Sequence, residues 1–549
     1  NNSKDTWKTL QTLINSKQNG DGTPTTLNTS NGDVITDDDQ ISELFNSFFT
    51  EIGENLRSNI PSSPLDPLSL IPNIENDMEL ELTNENELIE IIKNLKNVGA
   101  GYDNINSKIF KLSYRVVLRH LLHFFNTCLA TGTFPSALKI AIIKPIFKGG
   151  DSRKVNNFRP ISILPFISKI LEKLIYTRLI NFVTQNEIIH EHQFGFQKGK
   201  TTYMPILLLQ DIITKVFEDG EFALGLFLDI KKAFDTVNIE LLLEKLRKYG
   251  VRNVALKIMT SYLSGRSQYV KIRSTYSSSK PVTMGVPQGS ILGPLLFLIY
   301  INDLPNLSPN MTCLSYADDT AIIFKNKNTS VLQETLNDLL VQISNWFHAN
   351  FLSLNVSKTY TQHYTTRSIN FKLDVKLCGE LIEENEHIKY LGVFVDKSLK
   401  FTKHISYISN LVSRNIGIIA RSRYYLDKKT TLLLYNSLIL PYLNYCCIIW
   451  GSNYESQLNK LVVLQKRAVR LVEHVYSPVS SQPIFKRYNL LKLKDIAKSQ
   501  MLLVMHKFVT KQLPKTFNAV YQLEDRTLAN TRQIQHFIQP FSNRNYRLF

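Results

Sequence analysis

Apolar residues recur along this chain with two different periods, and the changes of period mark out its elements. Between Asp38 and Arg57, the residues Ile41, Leu44, Phe45, Phe48, Phe49 and Ile52 fall at helical spacing and predict an amphipathic helix. A second helix is predicted from Glu87 to Leu95, then a glycine-rich turn at Gly99–Asp103, then helices filling Ser107 to Thr131. The character changes after Phe134-Pro135: Ile140 to Phe147 is apolar and β-branched and reads as a strand. A basic loop leads to Arg159-Pro160, and Ile167 to Thr184 reads as a helix. Phe222 to Ile230 (FALGLFLDI) is an unbroken apolar run ending in an aspartate, the pattern of a buried strand with a carboxylate at its tip. Met311 to Phe324 (MTCLSYADDTAIIF) reads as two short strands around a tight acidic turn. Leu332, Leu336, Leu339, Leu340, Ile343, Trp346 and Phe347 return to the helical period. Strands are predicted near Phe371–Leu377 and Ile388–Val395, and beyond His404 the pattern is helical and basic. No internal repeat is evident.

Polar and proline-rich stretches divide these elements. Residues 1–75 are rich in Asn, Ser, Thr, Asp and Pro, and the run Pro61-Ser-Ser-Pro-Leu-Asp-Pro67 reads as a linker. Thr431 to Trp450 carries no charge and approaches the length of a membrane span. It also holds Asn436, Ser437, Pro441 and Asn444, which lipid tolerates poorly, so it is expected to form a buried helix pair in a protein outside the membrane. The chain opens on Asn1 with no secretory signal; a non-secreted piece of a longer reading frame is expected.

Composition adds a partner. The 549 residues are 43% hydrophobic and 20% charged, as in globular proteins, and the net charge is +17. Residues 1–100 hold 17 acidic against 6 basic side chains, so the rest of the chain carries +28; residues 401–500 alone hold 15 basic against 4 acidic. A chain so divided is repelled by a polyanion at its acidic start and attracted by its net-basic remainder. The five cysteines form no CxxC pair and no zinc-finger spacing, which leaves free thiols in a reducing compartment.

The acidic positions then suggest a reaction. Transfer of a phosphoryl group from a nucleoside triphosphate needs charge neutralised at both the attacking and the leaving oxygen. Two metal ions held by carboxylates on rigid neighbouring strands meet that need. Asp229 ends one buried strand, and Asp318-Asp319 sits at the tip of a hairpin. An aspartate ending a long apolar strand is hard to read as a solvated turn, because its charge needs a partner.

These residues carry a resemblance. Tyr316-Ala317-Asp318-Asp319 matches the YxDD motif of reverse transcriptases, and Phe227-Leu-Asp229-Ile-Lys-Lys-Ala-Phe234-Asp235 resembles their first catalytic motif. Gly285-Val-Pro-Gln-Gly-Ser-Ile-Leu-Gly-Pro-Leu-Leu-Phe297 resembles the motif between them. Leu354-Asn355 with Lys358-Thr359, and Tyr390-Leu-Gly-Val393, resemble the next two. Upstream, Phe158-Arg-Pro-Ile-Ser162 and Gln193-Phe-Gly-Phe196 resemble finger motifs; Gln197 and Tyr102 depart from the usual Arg and Pro. The strings are most similar to non-LTR (LINE-type, jockey-like) retrotransposons, over roughly residues 40–520.

The resemblance implies an α+β right hand: fingers, a palm with an antiparallel sheet, then an α-helical thumb. On the sequence, 1–75 is an acidic extension and linker, 76–220 fingers, 221–396 palm (the polymerase core starting near 128), 397–520 a basic helical thumb, and 521–549 a truncated tail. It implies RNA-directed DNA polymerisation with an RNA template, a DNA primer and dNTPs. It further implies two magnesium ions, which manganese can replace, on Asp229, Asp318 and Asp319. Lys148 and Arg159 would grip the triphosphate, Gln288 and Gly289 would lie beside the nucleotide, and Phe234 would clash with a ribose 2′-hydroxyl. Asp235 is expected to be structural. Lys358 is a candidate general acid, and Tyr316, Lys466, Arg467 and Arg470 are candidate nucleic-acid contacts; Tyr442, Tyr445 and Trp450 are expected in the core. No endonuclease, RNase H or zinc-knuckle pattern occurs, so polymerisation without nicking is expected. Nucleus and cytoplasm both fit. The alternative readings are a silent nucleic-acid-binding relic of the same fold, an RNA-directed RNA polymerase and a maturase-like splicing factor. Oligomeric state and template preference are not written in the sequence.

Overall fold

The computed structural model describes residues 24–29, 32–365, 375–520, 523–525 and 535–537. The predicted strand at Phe371–Leu377 lies outside the described residues except for a two-residue strand, Lys376–Leu377. The chain forms two compact units, each assembled from three segments.

The first unit takes Asn1–His190, Ile230–Ser308 and Val341–Asn355. Its sheet runs in the order Phe158–Ile163, Ile140–Phe147, Arg266–Ile272, Thr275–Tyr276, with Lys280–Val282 also on Arg266–Ile272. Ile140–Phe147 pairs antiparallel with Phe158–Ile163 and parallel with Arg266–Ile272. The helix Asp38–Arg57 forms as its period predicts and starts at Asp37, whose carboxylate accepts the Gln40 N–H at 3.0 Å. It lays Ile41, Phe45 and Phe49 on Ile143, Phe158, Val270 and Ile272 of the sheet. Ser107–Thr131 is one helix rather than several, stopped by Gly132 at φ +67°.

The second unit takes Glu191–Asp229, Pro309–Leu340 and Val356–Phe549. Its five-stranded sheet has Phe222–Leu228 in the middle, flanked by Tyr360–Tyr364 and Asp319–Asn326, with Glu383–Glu384 and Thr312–Tyr316 outside. Both neighbours of the middle strand are antiparallel to it. All seven residues of Phe222–Leu228 are buried, which explains why the run is continuously apolar instead of alternating. Helices follow, with Thr402–Ser422 packed on Glu455–Val472.

Three further expectations need correction. The predicted strand at Ile388–Val395 is a hairpin, His387–Tyr390 with Val393–Asp396, because Leu391 and Gly392 both take positive φ, +45° and +85°. The predicted helix pair at Thr431–Trp450 is three helices, Lys428–Leu438, Leu440–Asn444 and Cys447–Trp450. Pro441 sits at the start of the second, and Cys446, at φ +50°, separates it from the third. Trp450 is core as expected, but Tyr445 is exposed and rests against Gly392. Among the described residues no helix is long and apolar enough to cross a membrane.

Candidate active site

In the second unit, Asp229 follows Leu228, the last residue of the middle strand, and Leu228 pairs with Thr320. The neighbouring strand begins at Asp319, which pairs with Tyr316 across a two-residue turn, Ala317-Asp318. The alternation of buried strands thus delivers Asp229, Asp318 and Asp319 to one end of one sheet. Ala317 makes the tight turn at φ +58°, a conformation that costs a residue with a Cβ about 1 kcal/mol or more.

That cost is met by a neighbour the sequence reading left as a finger motif. The Gln193 side-chain oxygen accepts two backbone N–H groups, from Ala317 and Gly195, each at 2.9 Å. The Ser315 N–H donates to His192 O at 3.0 Å, and the Phe194 N–H donates to Ser315 O at 2.8 Å. Gly195 comes so close that a Cβ there would stand 2.3 Å from the Ala317 nitrogen. The segment His192–Gly195 therefore clamps the acidic turn from its open edge.

The carboxylates repel. Asp319 is exposed at its rim, but burial beneath it, then Asp318 and Asp229, push its carboxyl up to about 6, while Lys358 pulls it down. Lys358 lies in the turn Val356–Lys358 that leads into Tyr360–Tyr364, and the next residue, Thr359, accepts the Asp229 N–H on its hydroxyl at 3.4 Å. Beneath, Tyr390 packs edge-on against Phe227 and donates to Leu314 O at 2.8 Å. Among the described residues no three Asp, Glu, His or Cys side chains converge as a complete metal cage. A crowded set of hard carboxylate oxygens still suits magnesium, which is held by one or two carboxylates with water and substrate phosphates completing its shell.

In the first unit, Lys148, Arg159 and Lys232 converge. Burial and the charges of Lys148 and Arg159 pull the Lys232 ammonium down to about 8, with Asp235 opposing. Lys232 had no assigned role on the sequence, though it stands inside the quoted motif. Asp235 accepts from Gln288 Nε2 at 2.7 Å, and burial holds its carboxyl up at about 6. The Ser162 N–H donates to Gln288 O at 2.7 Å, tying the Pro-Gln-Gly segment to the strand that carries Arg159. Gly289, at φ +112°, has no room for a Cβ, which would lie 2.9 Å from Ser162 O. The half-buried Phe234 ring stacks on Phe297, centroids 4.7 Å apart, and its carbonyl accepts the Val286 N–H. A small groove of about 50 Å³ beside this cluster is lined by Ser162, Asp235, Arg266, Gly285 and Gln288.

The remaining candidates stand apart in sequence. Lys466 and Arg467 are exposed on the helix Glu455–Val472, while Arg470 donates through Nε to Val479 O at 2.6 Å. Tyr316 is half-buried at the acidic turn.

Residues 146–395 match the family described as reverse transcriptase (RNA-dependent DNA polymerase). Over 432 residues, 74% of this chain and 46% of the relative, it is 31% identical to the probable RNA-directed DNA polymerase from transposon BS of Drosophila melanogaster. The RNA-directed DNA polymerase from mobile element jockey of the same species is 31% identical over 77% of this chain and 48% of its own length. The chain spans about half the length of the curated relatives it matches. A solved structure, apo telomerase from Candida tropicalis, superposes with a TM-score of 0.38 and 13% identity, covering 74% of this chain and 73% of that one. A domain match, and some 30% identity across three quarters of the chain to jockey and BS, place this protein in the reverse transcriptase family of non-LTR retrotransposons.

Proposed function

We infer that this chain copies RNA into DNA, extending a primer 3′-hydroxyl with dNTPs. The observation that carries the reading is the gathering of Asp229, Asp318 and Asp319 at one end of a buried sheet, with the turn between them clamped by Gln193. Relatives bearing the name RNA-directed DNA polymerase support it. Members of the family generally use divalent metal ions, and we assign two magnesium ions to Asp229 and Asp318, with Asp319 completing the set. Bound there, the ions supply charge neutralisation for the attacking and leaving oxygens.

The chain's own residues do the rest. Lys148, Arg159 and Lys232 bind the triphosphate, a point charge, a fork and a second point charge against phosphate oxygens. Gln288 and Gly289 line the place of the nucleotide, with Asp235 as the positioning residue that orients Gln288. Phe234, braced by Phe297, excludes a 2′-hydroxyl. Lys358 protonates the pyrophosphate as the bond from the 3′-oxygen to the α-phosphorus forms and the bond to pyrophosphate breaks. The segments 76–220, 221–396 and 397–520 serve as fingers, palm and thumb, and Tyr316, Lys466, Arg467 and Arg470 lie along the path of the template–primer.

Primer extension on an RNA template with dNTPs and magnesium tests the reading. Asp318→Ala should lower incorporation by at least about 10³-fold, since the several kcal/mol of charge stabilisation depend on it. In the same assay Phe234→Ala should raise rNTP use. A folded wild-type chain that binds primer–template without extending it would make the silent relic the better reading.

A further inference from the structure

Outside the site described above, the second unit carries a cluster of surface tyrosines with a single buried cation at its centre. After the helix Thr402–Ser422 the chain makes one turn, Arg423–Tyr425, and this turn meets the segment that follows the helix Glu455–Val472. Tyr424 is 73% exposed, Tyr425 89% and Tyr476 57%. Tyrosine rings are rarely left this open, because each ring sacrifices burial worth a few kcal/mol.

Their arrangement is held in place. The Arg423 guanidinium lies over the Tyr476 ring at 4.0 Å and over the Tyr424 ring at 4.8 Å, while Arg423 itself is 3% exposed. Its Nη2 donates to the Tyr424 hydroxyl at 2.9 Å, and the Tyr424 and Tyr476 hydroxyls bond to each other at 2.7 Å. Its Nη1 is sealed from water and has no acceptor among the described residues. An arginine that leaves a buried N–H unpaired in order to sit between two rings acts as a pedestal for them. The Tyr424 and Tyr476 rings are held before any ligand arrives, which removes part of the entropy cost of binding.

The flanking segments are basic. Besides the buried Arg423, and Lys428 paired with Glu473, the segments 421–429 and 470–479 contain Arg421, Lys429 and Arg470 against Asp427. Glu473 is already engaged by Lys428 and Arg487 at 2.5 and 2.7 Å, so it offers little to repel an anion. Open aromatic faces set among cations are what a single nucleic-acid strand needs: bases stack on the rings and the backbone follows the charge.

We propose that Tyr424 and Tyr476, braced by Arg423, form with the open Tyr425 beside them a stacking platform for unpaired bases of an RNA strand. The identity of the strand rests on the polymerase reading, in which RNA reaches this chain unpaired.

The test is equilibrium binding of a labelled 20-nucleotide single-stranded RNA to the full chain at fixed ionic strength. Wild type is compared with a triple variant, Tyr424→Ala, Tyr425→Ala and Tyr476→Ala, and with Phe at the same three positions. The Ala variant should bind about tenfold or more weakly, because base–aromatic stacking contributes about 1–3 kcal/mol per base. The Phe variant should stay within about threefold of wild type, and the salt slope should not change, since no phosphate contact is removed. A second measurement uses wild type alone: an abasic oligomer with the same backbone should bind about tenfold or more weakly than normal RNA, a comparison that stands even if the Ala variant fails to fold. Equal binding of normal and abasic strands, or undiminished binding by a folded Ala variant, would overturn the platform; the latter would leave the patch to a protein partner. Dependence on the tyrosines in a chain that cannot incorporate dNTPs would uphold the platform and reject the polymerase reading. Incorporation without that dependence would do the reverse.

Discussion

At the scale of single residues, the site depends on side chains that carry no chemistry of their own. Gly195 lies where a Cβ would meet the Ala317 nitrogen at 2.3 Å. Gly195→Ala must therefore push the acidic turn, and overpacking of this kind costs about 1–3 kcal/mol. The expected outcome is a drop in the rate of single-nucleotide incorporation with primer–template affinity little changed. An unchanged rate in single-turnover kinetics would remove Gly195 from the positioning of the turn. Lys232 gives a pH signature. Its ammonium is pulled down to about 8. The charge offered to a triphosphate is complete well below that pH and is lost as pH rises through it. Nucleotide affinity should fall above pH 8 by at most tenfold per unit. Lys232→Arg, which does not titrate, should flatten the fall; a titration of dNTP affinity from pH 7 to 9.5 that is already flat in wild type would refute the assignment.

At the scale of elements, what was legible in the sequence was what a periodic pattern can encode. The helix Asp38–Arg57 followed from spacing, and the middle strand and acidic hairpin from apolar runs interrupted by aspartates, because each element's burial is written along its own length. The strand at Ile388–Val395 was misread because the turn inside it is made by Leu391 as well as Gly392, and leucine gives no warning of positive φ. The part of Gln193 was invisible for a different reason: its oxygen reaches a backbone N–H 124 residues away, and no local period records such a contact. A buried ion pair in the first unit was missed likewise. Lys245 Nζ meets Asp303 at 2.6 Å with both side chains fully enclosed; Tyr300 O takes a second Lys245 proton, and Trp346 Nε1 donates to the same carboxylate. Breaking it from one side leaves a buried charge uncompensated, so Asp303→Leu alone should destabilise by about 3–5 kcal/mol. Adding Lys245→Met should recover much of that loss. Denaturant midpoints of the single and double variants decide this, and an equal loss in both would show that packing rather than charge dominates.

At the scale of the whole molecule, charge is distributed so that the first hundred residues oppose a polyanion most strongly and the rest of the chain carries a net +28. If the remaining +28 is engaged along a template–primer, affinity must be strongly salt-dependent. Raising salt from 50 to 200 mM should weaken primer–template binding on the order of 10³-fold, the response of a protein with several phosphate contacts. A slope near zero in the logarithmic plot would mean that the basic excess serves solubility instead. On the proposed function, the three carboxylates lie inside a basic chain whose surface would draw the nucleic acid in while they select a cation.

The clamp on the acidic turn also has a genetic consequence. Because Gly195 tolerates no Cβ and the Gln193 oxygen holds two chain segments at once, the positions at which a small change disables this protein extend beyond its three carboxylates. On the proposed function, a gene copy released from selection would be slowed by gaining one methyl group in the Gln-Phe-Gly segment, with YADD still intact on paper. Inspection of the YADD string alone would therefore overcount the working copies.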